Sequence, residues 1–462
     1  MKRIPFLLVL LVFTALLPAG TQSYSHQEYF EHYEGTQTCL ECHRAEAETF
    51  FHSQHYQWKG ETPNLVNSGG KKLGKINTMN DFCTNPSGTW IGKFTNAAGN
   101  VVSRGCSQCH AGLGLLPSES MSEKQLLNID CLQCHAMGYR RDVYEEENGW
   151  VWKPILWNNP EGLDSVSKRI TLPTRDMCLR CHAGAGGGLN YKRGDIEYAM
   201  KKADRSYDVH LGSGMECLDC HRGKDHRLIG RGADLSATDM PGYRLTCDEE
   251  GCHVNPPHRS AQINAHLKRV SCTSCHIPEF AKVEETDLFR DWSKIIYHED
   301  LSKYEATMKH GLHVQPVYAW WNGDSTAQFL GDPVKLKDGK IQMMMPVGSR
   351  NDPGSKIYAF KAHGAILPVE RETKVLLPIK VTTVFTSGDI DKAVHEGAKA
   401  FYGKDIKNYD WVESIRYMGL FHEIPRAEEA LECLDCHGSS GRMDFKALGY
   451  DGDPLLKKLT QE

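Results

Sequence analysis

After Leu17 the chain has no long apolar run, and nothing approaches the roughly 18 uninterrupted apolar residues of a membrane-crossing helix. It also lacks apolar bulk: hydrophobic residues make up 40% and aromatic residues 9% of 462. A chain this polar is long enough for two or three domains but short of side chains for a large core. Something other than side chains is therefore expected to fill the interior. There is no basic run and the net charge is −5, which argues against nucleic acid as a partner.

The one apolar stretch is at the start. Met1-Lys2-Arg3 is basic, Ile4 to Leu17 is almost wholly apolar, and Pro18-Ala19-Gly20-Thr21 brings small residues and a break. This is the layout of a secretory signal peptide, read here over residues 1–25, with cleavage between Ala19 and His26. No cysteine lies near that site, so a lipid anchor is not expected. The expectation is a soluble protein exported to the periplasm.

What is abundant is cysteine, 17 residues, and histidine, 22 residues. "CLECH" runs from Cys39 through Cys42 to His43, and "CSQCH" from Cys106 through Cys109 to His110. "CLQCH" covers Cys131, Cys134 and His135, and "CLRCH" covers Cys178, Cys181 and His182. "CLDCH" occurs twice, at Cys217, Cys220, His221 and at Cys433, Cys436, His437; "CTSCH" covers Cys272, Cys275 and His276. Seven copies of C-x-x-C-H form the attachment pattern of haem c. Two thiols add to the vinyl groups of one porphyrin, and the adjacent histidine ligates its iron. Disulfides or zinc sites explain paired cysteines, but not a histidine directly after every second one.

An eighth site is stretched. "CDEEGCH" separates Cys247 from Cys252 by four residues and ends on His253. The alternative there is a Cys247–Cys252 disulfide. Intervals between first cysteines run from 25 residues (Cys106 to Cys131) to 161 (Cys272 to Cys433), so the repeat is chemical and not structural. Closely spaced motifs imply neighbouring porphyrins and electron hopping between them. Eight covalently attached haem c groups are expected.

The fold expected is a multihaem cytochrome c fold, mainly short α-helices and long loops around a chain of eight haems, with little β-structure. A haem core would occupy residues 26–277 with motifs one to seven. A cysteine-free cap would occupy 278–425, and the eighth motif with its tail 426–462. "RAEAETFFHSQHYQW" reads as a helix presenting His52 and His55, and "GDIEYAMKKAD" as a helix begun near Asp195. "DIDKAVHEGAKAFYG" starts on aspartate caps and stops at Gly403. "PRAEEALECLDCH" has Pro425 at a helix start, and "KVLLPIKVTTVF" reads as strand. One cysteine is left over, Cys83 in "MNDFCTNPSG", where Thr84-Asn85-Pro86-Ser87-Gly88 is turn chemistry. It fits a buried filler, an interchain bond or a pocket thiol.

The chain resembles the octahaem tetrathionate reductase family of exported c-type cytochromes. The likeness is carried by the eight motifs with "HYQW", "NDFC", "YDVHLGSGMECLDCH", "DHRLIGR", "NAHLKRVSCTSCHIPEFA", "RDWS", "YAWWNG", "FKAHG" and "FHEIPRAEEALECLDCHG". The resemblance implies distal iron ligands at His55, His210, His226, His258, His266, His363 and His422. It leaves His52, His298, His310, His313 and His395 as ordinary histidines. It further implies a lysine-held substrate haem on the second motif, with Cys83 beside it. The family's lysine aligns with Leu172 here, so either Lys168 or Lys153 serves in its place or the ligand is absent. The hydroxylamine oxidoreductase family also has eight haems, but its tyrosine-bearing helical C-terminus is lacking: 25 residues follow His437, with Tyr450 alone.

The function implied is reduction of a small anionic substrate, tetrathionate first and nitrite or hydroxylamine next. Electrons would come from membrane quinol-linked or periplasmic cytochrome donors. A non-enzymatic electron conduit and a hydroxylamine-type oxidation are the alternatives. Lys71, Lys72, Lys75 and Arg104 are read as an entrance that attracts anions to a net acidic protein. Oligomeric state is left open.

Overall fold

The computed structural model describes residues 23–84, 90–99, 101–147, 149–155, 162–230, 238–249 and 251–459. Most of the expected signal peptide, Arg104's side chain and Asn85–Gly88 lie outside these. Ser23–Ser25 is a short strand paired antiparallel with Arg169–Thr171, so a leader that ends before Ser23 leaves this pairing intact.

The largest element is an eight-stranded sheet, which corrects the expectation of little β-structure. Its order is Lys303–Gly311, Thr286–His298, Lys356–Glu370, Tyr409–Gly419, Lys340–Pro346, Ser325–Ala327. Val317–Trp321 pairs with the start of Lys356–Glu370, and Leu336–Lys337 with Lys340–Pro346. Neighbours are antiparallel except Lys356–Glu370 with Thr286–His298 and Lys340–Pro346 with Tyr409–Gly419. The sheet lies wholly within the stretch read as a cap. The central strand, "KIYAFKAHGAILPVE", is buried on both faces along most of its length, so its sequence does not alternate and carries no clear period of two.

One face of the sheet packs against helices Val381–Ser387 and Ile390–Tyr402 through Trp292, Ile341, Leu367, Val384, Val394 and Ala398. Asp389 caps the second helix by accepting from Lys392 N–H at 3.0 Å, and Gly403 ends it at φ 68°, as its sequence predicts. "KVLLPIKVTTVF" is corrected: beyond single bridges from Val375 to Pro333 and from Leu376 to Val369 it forms a connection and then the helix from Val381, with Leu376, Leu377, Ile379 and Val384 in the core against the sheet.

The motif-bearing region looks different. Its buried clusters are small and separate, such as Leu40, Ala47, Phe51, Tyr56, Leu126 and Ile129, or Leu179, Ala183 and Met200. This is the pattern of a region whose interior is completed by a bound group. Its elements are short. Helix Thr36–Phe51 stops before His52, so His55 follows in a turn; "GDIEYAMKKAD" yields only the 3-10 turn Tyr198–Lys202. "PRAEEALECLDCH" is broken into the turn Ala427–Glu429 and the helix Cys433–Cys436.

The sheet anchors three attachment regions. Ser274 Oγ of the seventh motif donates to Ile357 O at 2.8 Å. His422 follows directly on the strand ending at Gly419. The Met79–Thr84 segment docks on the core, with Trp292 Nε1 donating to Asp81 O at 2.9 Å and Arg290 Nη1 to Phe82 O at 2.5 Å.

Candidate functional site

Each attachment motif makes one turn that brings its histidine back over the first cysteine. The histidine N–H donates to the first cysteine's carbonyl at 3.1 Å in Cys131–His135, 2.8 Å in Cys217–His221, 2.9 Å in Cys272–His276 and 2.9 Å in Cys433–His437. The stretched motif keeps this bond, His253 N to Cys247 O, at 3.2 Å. Its two extra residues loop out, with Gly251 at φ 85°, a conformation glycine adopts freely. All seventeen cysteines are free, and the Cys247 thiol contacts Cys272, not Cys252.

Seven motif histidines face a second histidine ring at nearly one distance. The centroid separations are 6.2 Å for His43–His26, 6.4 Å for His135–His226, 6.3 Å for His182–His55 and 6.1 Å for His221–His422. They are 6.0 Å for His253–His210, 6.1 Å for His276–His258 and 6.4 Å for His437–His266. Two metal–nitrogen bonds of about 2 Å plus the half-width of each ring give about 6 Å, so the gaps suit one ligated iron.

The remaining nitrogens agree with that role. Nδ1 of His135, His221 and His266 faces the carbonyls of Thr171, Ile229 and Gln262 at 2.9–3.0 Å. Nδ1 of His26 faces Tyr24 O at 3.3 Å, and that of His226 faces Thr49 Oγ1 at 3.0 Å. His258 uses Asn264 Oδ1, His422 uses Asp195 and His437 uses Asp453, at 3.2, 3.1 and 2.7 Å. Such partners fix the ring and leave Nε2 for a metal. Among the described residues no group of three or more His, Cys, Asp or Glu is arranged to hold a bare ion.

His363 does not belong to this set. It is fully buried, with Nδ1 2.5 Å from Asp81 Oδ2 and Nε2 3.5 Å from Asp287 Oδ1, and it stacks on Phe82 at 3.9 Å. Its buried Nε2 makes no hydrogen bond, and among the described residues no motif histidine ring faces it, so the structure does not bring this expected distal ligand to a motif histidine. The seventh facing ring is that of His26, opposite His43. It lies at the edge of the expected leader, and nothing in its spacing marked it. His55, His210, His226, His258, His266 and His422, expected as distal ligands, each face a motif histidine. Of the histidines read as ordinary, His313 pairs with Glu279 at 3.0 Å and His395 Nδ1 donates to Asp391 O at 2.9 Å.

His110 stands apart. Among the described residues no second histidine ring faces it; its ring neighbour is Trp90 at 5.4 Å, and its buried Nδ1 has no partner. Cys83 and Lys75 lie near Cys106. Burial and then the Cys83 charge push the Cys106 thiol up to about 11, and Lys75 opposes this. Lys75 Nζ donates to Cys83 O, and Asn80 Oδ1 accepts from Phe82 N–H at 3.1 Å and Cys83 N–H at 2.7 Å. The cysteine is therefore held in a side-chain-closed turn, half-buried against the sheet core.

Neither expected lysine ligand reaches this place. Lys153 points outward from its hairpin and pairs with Glu146 at 2.5 Å; Lys168 donates to Glu31 O at 2.8 Å; Leu172 is exposed. Lys71 lies over the Phe329 ring at 5.9 Å and Lys72 pairs with Glu61 at 3.7 Å, so Lys75 alone of the three is brought to Cys83. Tyr450 packs on Trp320 at 6.4 Å, beside the eighth motif's tail.

Contacts between cysteines order the motifs in space. Cys39 and Cys131, Cys109 and Cys181, Cys178 and Cys217, and Cys247 and Cys272 are close neighbours. Cys134 and Cys181, Cys220 and Cys252, and Cys275 and Cys436 interact electrostatically. The path runs first, third, fourth, fifth, sixth, seventh, eighth, and the second motif branches off the fourth.

Residues 288–440 match the family model described as bacterial cytochrome c. An uncharacterised protein of Archaeoglobus fulgidus is 34% identical, over 46% of this chain and 81% of that protein, and the two belong to one family. The crystal structure of octahaem cytochrome c from Shewanella oneidensis matches with a TM-score of 0.71 and 27% identity, covering 92% of this chain and 94% of that one.

Proposed function

The chain is a multihaem c-type cytochrome, and from that premise we propose that it is an exported, periplasmic reductase of small sulfur or nitrogen oxyanions, acting at the second motif. The observation that carries this reading is His110, among the described residues the one motif histidine with no histidine ring opposite. Eight haems per chain is part of the proposal, as is a one-electron donor of the quinol-linked or cytochrome kind. When bound, such groups supply one-electron transfer and, where the protein leaves an axial face free, a place for a small anion.

The chain's own residues give this place its chemistry. Lys75 brings positive charge beside Cys83. The Cys83 thiolate can attack the central S–S bond of tetrathionate, forming a Cys83–S–SSO3 adduct and releasing one thiosulfate. Two electrons then cleave the adduct, regenerate the thiolate and release the second thiosulfate. No proton is consumed, whereas nitrite and hydroxylamine reduction need protons as well as electrons. The test is a spin-state spectrum of the reduced holoprotein with and without tetrathionate, nitrite and hydroxylamine. One haem signal that changes with substrate supports a reductase; eight unresponsive low-spin signals would leave the conduit reading, which the unbroken motif path favours.

A further inference from the structure

One buried cation ties the second attachment loop to the start of the third. Arg141 begins the strand Arg141–Glu146, which pairs with Gly149–Pro154 in a hairpin. Its Nη2 donates to the carbonyls of Ser107 at 2.8 Å, Gln108 at 3.2 Å and His110 at 3.3 Å. Its Nη1 donates to Gly112 O at 2.8 Å and to Asp130 Oδ2 at 2.9 Å. Four of these five bonds thus hold the backbone that carries His110. Trp152 lies 4.8 Å from the guanidinium and donates through Nε1 to Ser107 Oγ at 2.8 Å, while Ser107 Oγ donates to Trp90 O at 2.7 Å. The Arg141 and Asp130 side chains are 7% and 2% exposed.

A guanidinium stays protonated, so this charge is permanent. Inside the protein it is weakly screened by salt. Its bonds to the carbonyls of Ser107, Gln108, His110 and Gly112 set it inside the second attachment loop, and its bond to Asp130 sets it beside the start of the third. A fixed positive charge at that junction stabilises any neighbouring group that gains an electron. Asp130, also hydrogen-bonded by Tyr139 Oη at 3.2 Å, opposes it from the far side of the guanidinium.

We propose that Arg141 is a positioning residue that holds the His110 loop and raises the reduction potential of the second-motif haem, so that electrons collect at the branch. The proposal rests on the second motif carrying a haem, but not on which substrate it reduces. The experiment is a spectroelectrochemical titration of purified holoprotein, following the one haem whose signal differs from the rest. Arg141→Gln should lower that haem's potential more than any other, Arg141→Lys should restore most of it, and Asp130→Asn should move it the opposite way. A mere packing role would shift Arg141→Gln and Asp130→Asn in the same direction, or all haems equally, and either result overturns the proposal. If Arg141→Gln fails to load its haems, the sign of the Asp130→Asn shift decides. A protein that binds no oxyanion defeats the reductase reading while the potentials still test Arg141.

Discussion

Cys83 and Lys75 meet at the second motif, and the two remaining partners of that segment, Asn80 and Asp81, hold it still. Cys83→Ser should keep every haem and the oligomeric state. Steady-state assays should show strongly reduced tetrathionate turnover and only mildly reduced nitrite or hydroxylamine turnover; equal loss for all substrates would make Cys83 a packing residue. His26 and His363 offer a sharper contrast. His26→Ala should leave one additional high-spin iron by resonance spectroscopy. His363→Ala should change no spin state but cost about 1–3 kcal/mol in denaturant unfolding, the scale of leaving a buried polar partner unsatisfied. A new high-spin signal from His363→Ala would return it to the ligands.

The element that places Cys83 is the loop pinned to the sheet through Asp81. Arg416 Nε on Tyr409–Gly419 donates to Asp81 Oδ1 at 2.6 Å, and His363 on Lys356–Glu370 holds the other oxygen. Burial alone would raise the Asp81 pKa, but Arg416 and His363 outweigh it and hold the carboxyl far below the usual range. A folded-state pKa below the unfolded value of about 3.9 means stability that is present above that pH and lost as pH falls through and below it. Acid unfolding of the holoprotein should therefore steepen below about pH 4, and Asp81→Asn should flatten that part of the curve. An unchanged acid limb in Asp81→Asn would mean that other carboxylates, such as Asp195, carry it.

On the scale of the whole molecule the net charge is −5, so the protein as a body repels the anions proposed as substrates. Attraction has to be local, and Lys75 is the lysine in place to provide it. Lys75→Gln should raise the apparent KM at low salt, with the difference fading as the Debye length shrinks to about 10 Å near 0.1 M. A salt-independent change would point to Lys75 holding the Cys83 turn instead. The path of motifs across the molecule adds a mass prediction: intact mass should show sixteen thioether-linked cysteines, including Cys247 and Cys252. A mass lacking one haem would reduce "CDEEGCH" to a loop.

The attachment chemistry was legible in the sequence because C-x-x-C-H is local: two thiols and a ligand must meet one porphyrin within a single turn, and the chain must spell that out in order. The helix Ile390–Tyr402 was legible for the same reason, its cap and stop lying within a few residues. The distal ligands were not local. His26 and His363 each sit in stretches without distinguishing pattern, and only the fold brings one to 6.2 Å from His43 and the other between Asp81 and Asp287. The sheet was hidden because its central strand is buried on both faces and loses the alternation that marks a strand. Arg141 was silent because its partners are backbone carbonyls, which every residue has; its meaning comes from tertiary packing, which turns the Arg141 side chain into the carbonyls of 107–112.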